Sequence, residues 1–223
     1  MANANRIRGF KPVKYLSGAP YTGACNRYAI PTADTTASYA IGDVVQTRGG
    51  TDADGVPYVI KVPVANASDF KALGVVVGVE VASPGVSLVA ANLDLTTSYI
   101  VDGTRTAVRY VLVADDPALV FECSGGTTTT NLTLAKGRYN AGIGTNTGSD
   151  VTYDISQNGL ATSSPYSNVC ITSATVNTTN TLPVTLLGLV QAVDNEVGAY
   201  SRLLCRFNNH EFGVATGTNF TGV

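Results

Sequence analysis

The sequence predicts an all-β fold, an antiparallel β-sandwich or barrel of the jelly-roll type. Short runs rich in Val, Ile, Tyr and Thr recur between turn-forming clusters from Tyr39 onward. No window of ten or more residues carries a helical apolar stripe. Because 44% of the 223 residues are hydrophobic, the chain can fill a sizeable core.

The turn clusters divide the chain into nine candidate strands. A run of this kind, bounded by Gly, Pro, Asn, Asp or Ser, is typical of short strands in a sandwich or barrel. The candidates span 39–48, 57–64, 72–82, 106–114, 118–123, 151–155, 168–176, 183–193 and 199–207.

The last candidate strand, AYSRLLCRF, shows the clearest alternation. Side chains that alternate in this way predict one face in the core and the other in water. The turn VDNEVG at 193–198 joins this strand to the preceding one, so the sequence predicts a hairpin. The expected core set is Ser201, Leu203, Cys205 and Phe207, and the expected outer set is Tyr200, Arg202, Leu204 and Arg206.

Residues 1–37 predict an extended N-terminal arm, followed by a β-rich body over 38–223. Prolines and glycines interrupt the first segment, and aromatic residues recur along it. Such a segment cannot bury itself, so we expect it to lie against its own body or a neighbouring subunit. Two further stretches rich in Gly, Thr and Asn, 123–131 and 140–150, predict long exposed loops.

The charge distribution limits the possible partners. Only 13% of residues are charged and the formal net charge is -2, so long-range attraction to nucleic acid is not expected. The exception is the N-terminal segment, where the first fourteen residues contain four basic residues and no acidic one. The N-terminus lacks a 7–15-residue apolar region, and no later stretch reaches 18 apolar residues. This predicts a soluble protein that is not secreted through a signal peptide and has no membrane partner.

The acid pair Asp115-Asp116 lies between two apolar runs and precedes Pro117. Proline restricts the residue before it to extended geometry and favours a turn. Adjacent side chains at a strand end point apart, whereas paired catalytic carboxyls must face one substrate. We therefore expect a structural corner here.

Other candidate chemical groups also favour structural roles. The single histidine, His210, excludes a three-histidine metal site, and no G-x-S-x-G motif supplies a serine for it to activate. TDADG at 51–55 lacks the spacing of a calcium loop, which indicates a turn. The four cysteines form no CxxC pair and are expected as buried free thiols. The sequence predicts no enzyme, no metal and no cofactor.

Four stretches of the sequence resemble the head proteins of tailed bacteriophages. The segment GFKPVKYLSGAPYTGACNRYAIPTADTTASYAIGDVVQ at 9–46 is similar to the opening of small all-β chains that coat the capsid. The resemblance continues through ALGVVVGVE at 72–80, RYVLVADDPALVFE at 109–122 and RLLCRFNNHEF at 202–212.

The resemblance implies a cement or decoration protein, a structural component of the virion. Such a protein binds the outer surface of the major capsid protein shell and stabilises the expanded head. It would act as a homo-oligomer, a dimer or trimer, made in the host cytoplasm and incorporated on the capsid exterior. The expected contacts with the shell are Arg6, Arg8, Phe10, Lys11, Lys14, Tyr15 and Tyr21, with charges that steer and aromatics that anchor.

Two alternatives remain open at this stage. One is a tail or spike component that binds host surface glycans through the loops at 123–131 and 140–150. The other is a hydrolase within a β fold, which would require His210 to face a pocket beside an acid and a hydroxyl.

Overall fold

A computed structural model gives the architecture of the chain. It describes residues 3, 9–35, 37–62, 71–80, 99–100, 107–126, 138–146, 151–152, 167–178 and 182–213. Within these ranges the secondary structure consists of strands and turns without a helix, so the predicted all-β class is confirmed. No membrane-spanning helix is found in the described part of the chain.

The described residues form fourteen strands. They are β1 (Lys11–Tyr15), β2 (Asn26–Ile30), β3 (Tyr39–Ala40), β4 (Val44–Thr51), β5 (Pro57–Lys61), β6 (Gly74–Val79), β7 (Tyr99–Ile100), β8 (Arg109–Ala114), β9 (Leu119–Ser124), β10 (Asn140–Asn146), β11 (Val151–Thr152), β12 (Val169–Asn177), β13 (Val184–Leu189) and β14 (Arg202–Phe207).

Most strands belong to one of two units. Five of them close a barrel in the order β2-β5-β4-β6-β8, with β2 and β5 parallel and the other neighbours antiparallel. Seven form an antiparallel sheet in the order β1-β9-β14-β13-β10-β11, in which β12 also pairs with β10. We call these units the barrel and the large sheet. The short strands β3 and β7 pair with each other.

The large sheet curls back on itself. Gly125, at the end of β9, forms a parallel bridge to Ile171 in β12, and the amide of Gly126 donates to the Ile171 carbonyl at 3.0 Å. These contacts bring β12 back beside β9, although β14, β13 and β10 separate the two strands in the sheet order. The concave side of the large sheet therefore encloses apolar side chains.

Two hydrophobic clusters follow from alternation along the strands. In β4, Val45 points into the barrel, whereas its neighbour Val44 points outward to the large sheet. The inner cluster also contains Tyr28, Leu73 and Val113, and the outer cluster joins the barrel wall to the concave side of the large sheet. At Gly74 a β-carbon would lie 2.2 Å from the Ala114 carbonyl oxygen, so β6 and β8 approach too closely there for a side chain.

Three phenylalanines lie at the centre of the outer cluster. Phe10 is 2% exposed, and its ring centroid lies 5.3 Å from that of Phe207 and 6.1 Å from that of Phe121. The rings of Phe121 and Phe207 are 4.9 Å apart. Phe10 is anchored by its backbone amide, which donates to the Gly42 carbonyl at 2.9 Å. The residue before β1 thus completes the core between the two units.

The predicted hairpin is formed by β13 and β14. The expected core set of the last strand is buried, while Arg202, Leu204 and Arg206 are partly exposed. Asn195 holds the connection, because its side-chain amide donates to the carbonyls of Val190 and Arg202, both at 2.8 Å, and its oxygen accepts from the Arg202 amide.

The segment after β14 returns to the barrel. The amide of Ala72 donates to the Asn209 carbonyl and the amide of Glu211 donates to the Ala72 carbonyl, both at 2.9 Å. The Glu211 carboxylate also accepts from the Thr47 amide at 2.9 Å. Residues 209–211 therefore fasten the large sheet to the barrel.

Each of the nine predicted strands overlaps an observed one, but two predictions differ from the structure. Residues 11–15 and 26–30, predicted within an extended arm, form β1 of the large sheet and β2 of the barrel. Residues 140–146, predicted as a loop, form β10, in which Ala141 and Ile143 are buried. Prolines and glycines in and around β1 and β2, and two glycines within β10, concealed strands that tertiary pairing stabilises.

Replacement of Phe10 by alanine tests whether the N-terminal segment belongs to the core. We expect Phe10→Ala to lower the free energy of unfolding by about 3–5 kcal/mol, because it leaves a cavity between three packed rings. Leu16→Ala is the control, since Leu16 is 48% exposed and its loss should cost less than about 0.5 kcal/mol. Chemical denaturation of both variants gives the comparison. Equal stabilities would contradict the assignment.

Candidate partner-binding face

The predicted contact residues are divided among three locations. Lys11, Lys14 and Tyr15 lie in β1, which pairs only with β9 among the described strands and is therefore an edge of the large sheet. Tyr21 lies in the segment that returns along β1. Phe10 is a core residue, so we remove it from the contact set. Arg6 and Arg8 lie outside the described residues.

A β-bulge places the two lysines of β1 on the same face of the large sheet. Lys11 is opposite Glu122, and Lys14 is opposite Val120, with the register shift between Pro12 and Lys14. Residues three apart on a regular strand point to opposite faces, but the extra residue of a bulge restores the same face. Both lysines are exposed.

The chain after β1 folds back over the free side of that strand. The amide of Tyr15 donates to the Ala19 carbonyl at 2.8 Å, and the amide of Tyr21 donates to the Val13 carbonyl at 3.1 Å. The reversal uses Gly18 at φ 91°, a backbone conformation that favours glycine. Leu16, at the start of this reversal, is the most exposed large hydrophobic residue of the N-terminal part described.

Two tyrosines line the same edge. The rings of Tyr15 and Tyr21 are 6.5 Å apart, and both pack against the outer cluster while remaining partly exposed. The Tyr21 hydroxyl donates to the Ala24 carbonyl at 2.9 Å, and burial raises the pKa of this hydroxyl. We call Lys11, Lys14, Tyr15, Leu16 and Tyr21 the β1 edge.

The β1 edge has the composition of a protein contact. Partly buried aromatics supply rigid apolar area, and flanking cations favour an acidic partner. Neither Lys11 nor Lys14 forms an ion pair with any described residue. Within the described part of the chain, the edge therefore joins two lysines without ion pairs, on the side of the sheet away from the core, to partly exposed tyrosines that pack against the core side.

The acid pair has a structural role at the corner between β8 and β9. The Asp115 carboxylate accepts hydrogen bonds from the Asn26 amide, at 2.9 and 3.1 Å, and from the Tyr28 hydroxyl at 2.6 Å. The Asp116 carboxylate accepts from the Ala118 amide at 2.7 Å, which closes the turn. The two carboxylates thus serve different neighbours, as the predicted corner requires.

His210 is buried where the large sheet joins the barrel. It is 8% exposed, and its Nδ1 atom accepts from the Phe212 amide at 3.1 Å. Within the described part of the chain, the imidazole makes no hydrogen bond to a carboxylate or a hydroxyl. Burial lowers the pKa of His210 to about 4, against the opposite effect of the Asp115 and Asp116 charges and the Leu73 backbone.

The remaining candidate groups are engaged in the fold. Asp52 accepts from the amides of Asp54 and Val56 and from the Tyr110 hydroxyl, so TDADG forms the turn between β4 and β5. The thiols of Cys123, Cys170 and Cys205 are free and buried, and burial raises their pKa values. Among the described residues, no group of three or more His, Cys, Asp or Glu side chains could hold a metal ion.

Sequence reasoning missed two features of this region. It did not include Leu16, because an isolated leucine between Tyr15 and Ser17 carries no pattern that indicates its exposure. It placed Arg202 and Arg206 on the outer side of the last strand, yet it did not connect them with the lysines of β1, since that proximity depends on strand order.

Substitution at the acid pair distinguishes the two carboxylates. We expect Asp115→Asn to lower the free energy of unfolding by about 1–3 kcal/mol, because the new amide group would face the donors of Asn26 and Tyr28. Asp116→Asn keeps an oxygen for the Ala118 amide and should cost less than about 0.5 kcal/mol. Thermal or chemical unfolding of both variants measures the difference, and equal losses would count against these roles.

The burial of His210 predicts an acid-dependent loss of stability. Its pKa is about 4 in the folded protein and about 6.5 when unfolded. The unfolded chain therefore binds a proton between these values that the folded chain does not. Above pH 6.5 neither state binds this proton, so His210 does not lower the free energy of unfolding. As the pH drops towards 4, the free energy of unfolding falls by at most about 1.4 kcal/mol per pH unit.

His210→Asn tests this dependence, because the asparagine oxygen can still accept from the Phe212 amide. Unfolding measured from pH 7 to pH 5 should show a shallower decline in the variant than in the unmodified protein. Carboxylate titrations are shared by both proteins and cancel in the comparison. Parallel curves would show that His210 titrates normally.

Comparison with protein families, curated proteins and solved structures finds no match to this chain.

Proposed function

We propose that this chain is a cement protein of a tailed-bacteriophage head. It binds the outer surface of the major capsid protein shell and clamps neighbouring subunits after the head expands. The β1 edge is the observation that carries this proposal. It presents Lys11 and Lys14, which form no ion pair within the described part of the chain, together with Leu16 and two partly exposed tyrosines. The resemblance of residues 9–46 to head proteins covers the same strand.

A strand-built body suits a protein whose task is static attachment. The fastening of the large sheet to the barrel through 209–211 and through Phe10 gives a rigid base for the edge. A rigid surface loses little conformational entropy on binding. Few charged residues and many Thr and Asn residues are also compatible with a permanently exposed particle surface.

Repetition supplies the strength of such a clamp. A contact of about 800 Å² per partner can be modest in affinity alone, but repetition over a lattice adds avidity. We propose a homo-oligomer, a dimer or trimer, as the binding unit, because linked copies raise the effective concentration at neighbouring sites.

The glycan-binding alternative has weaker support. It relied on exposed loops at 123–131 and 140–150. Residues 123–124 and 140–146 belong to β9 and β10, and Gly125 and Gly126 are hydrogen-bonded to neighbouring segments. Residues 127–131 and 147–150 lie outside the described part of the chain.

Charge reversal on β1 tests the proposed function. Expanded heads assembled from the major capsid protein of the same phage genome are mixed with the full chain and sedimented. We expect the unmodified chain to bind and Lys11→Glu/Lys14→Glu to lose at least about tenfold in affinity through reversed steering and repulsion. Truncation of the N-terminal segment is unsuitable, because Phe10 belongs to the core.

The matched control is Arg48→Glu/Lys71→Glu, which changes the net charge equally at exposed positions of the barrel unit. It should bind as the unmodified chain does. No binding of the unmodified chain to expanded heads would overturn the proposed function, and equal loss in both double variants would remove β1 from it.

A further inference from the structure

Positive charge extends from β1 across the outer face of the large sheet, which is the side turned away from the outer cluster and the barrel. The concave side holds Phe121, Cys205 and Phe207, so alternation directs the intervening residues of β9 and β14 to the opposite side. We define this outer face by residues that are exposed or partly exposed, Lys11, Lys14, Glu122, Arg202, Leu204 and Arg206. Strand register places Val120 on the same side, although it is only 1% exposed.

Lys14 and Arg206 occupy the same cross-strand row. Leu204 pairs with Glu122 and Cys205 pairs with Phe121, so one further step brings Arg206 level with Val120. Lys14 is opposite Val120 on the other side of β9. Two strand spacings, about 10 Å, therefore separate the backbones of the two cationic residues.

The acidic residues near this face are already engaged. The Arg202 guanidinium lies 2.5 Å from Asp194 and 4.0 Å from Glu122. By contrast, Lys14 and Arg206 form no ion pair with any described residue. Within the described part of the molecule, the buried Nε atom of Arg206 also has no hydrogen-bond partner.

An unpaired guanidinium in a partly buried position favours a carboxylate. Arginine presents parallel N–H donors that match the two oxygens of a carboxylate, and the terminal nitrogens of the guanidinium can offer such a pair. Carboxylates on alternate residues of an extended segment lie about 7 Å apart. The long side chains of Lys14 and Arg206 can reach such a pair.

We infer that the outer face binds an acidic, extended segment of a partner protein, held by Arg206 and Lys14. This deepens the proposed function, on which it rests for the identity of the partner as the capsid shell. A protein ligand is favoured over nucleic acid because the chain is net negative and the described residues of the row provide only Lys14 and Arg206 as cations without an ion pair. Phosphate backbones require a larger cationic surface.

The test uses the full chain and a fluorescein-labelled decapeptide of alternating Glu and Thr. Fluorescence anisotropy at low salt compares the unmodified protein, Lys14→Gln/Arg206→Gln, and the control Arg48→Gln/Lys71→Gln. Each double variant loses one lysine and one arginine. We expect affinity to fall about tenfold or more in the first variant, since two charge-assisted contacts are lost, and to stay unchanged in the control.

Arg206→Lys provides a second measurement should the double variant fold poorly. It keeps the charge and removes the paired donors, so we expect a several-fold loss of peptide affinity. Two results would overturn the inference. One is an equal loss of peptide affinity in both double variants. The other is an unchanged peptide affinity in both Arg206→Lys and Lys14→Gln/Arg206→Gln. Tighter binding of oligothymidine than of the peptide, lost through the same residues, would overturn it in favour of a phosphate ligand.

Binding of the same variants to expanded heads and to the acidic peptide distinguishes failure of this inference from failure of the proposed function. Binding to expanded heads without any preference for the acidic peptide overturns the inference alone. Peptide binding through Arg206 without binding to heads supports the inference on the acidic ligand and overturns the assignment of the shell as partner.

Discussion

The packing of Phe10 against Phe121 and Phe207 joins the N-terminal part of the chain to the core between the large sheet and the barrel. These rings come from the entry to β1 and from the neighbouring strands β9 and β14, and they fill the space between the large sheet and the barrel. Gly9 permits this position, because its φ is 71° and a β-carbon there would lie 2.3 Å from the Gly42 carbonyl oxygen. Phe10 and strand β1 therefore belong to the folded body and are not part of a free arm.

Strand β1 consequently contributes both to the core and to the charged outer face. Pro12, on the inner side of β1, is buried, while Lys11 and Lys14 face outward with the β-bulge between them. The bulge places both lysines on the same face of the sheet. It also places Lys14 in the same cross-strand row as Arg206. Because the charges are carried by a strand fixed to the core, their spacing is set by the backbone. A fixed spacing of this kind suits the repeated contact with a shell that we propose.

Sequence patterns predicted the class of the fold better than its connections. Alternation in β14 predicted the buried positions Leu203, Cys205 and Phe207, and the proline after Asp116 predicted the corner. β1 and β10 were missed because Pro12, Gly142 and Gly144 weaken local strand signals that pairing with β9 and β12 overrides. The shared row of Lys14 and Arg206 could not be predicted, since it depends on a bulge and on sheet order.

Electron microscopy of expanded heads with the chain bound is the decisive experiment for the proposed attachment. We expect density on the shell exterior, with the β1 edge and the outer face of the large sheet turned towards the major capsid protein and Arg206 beside an acidic segment. Density in which this face points to solvent while the barrel contacts the shell would rule out the proposed binding mode, and an unoccupied shell would rule out the proposed function.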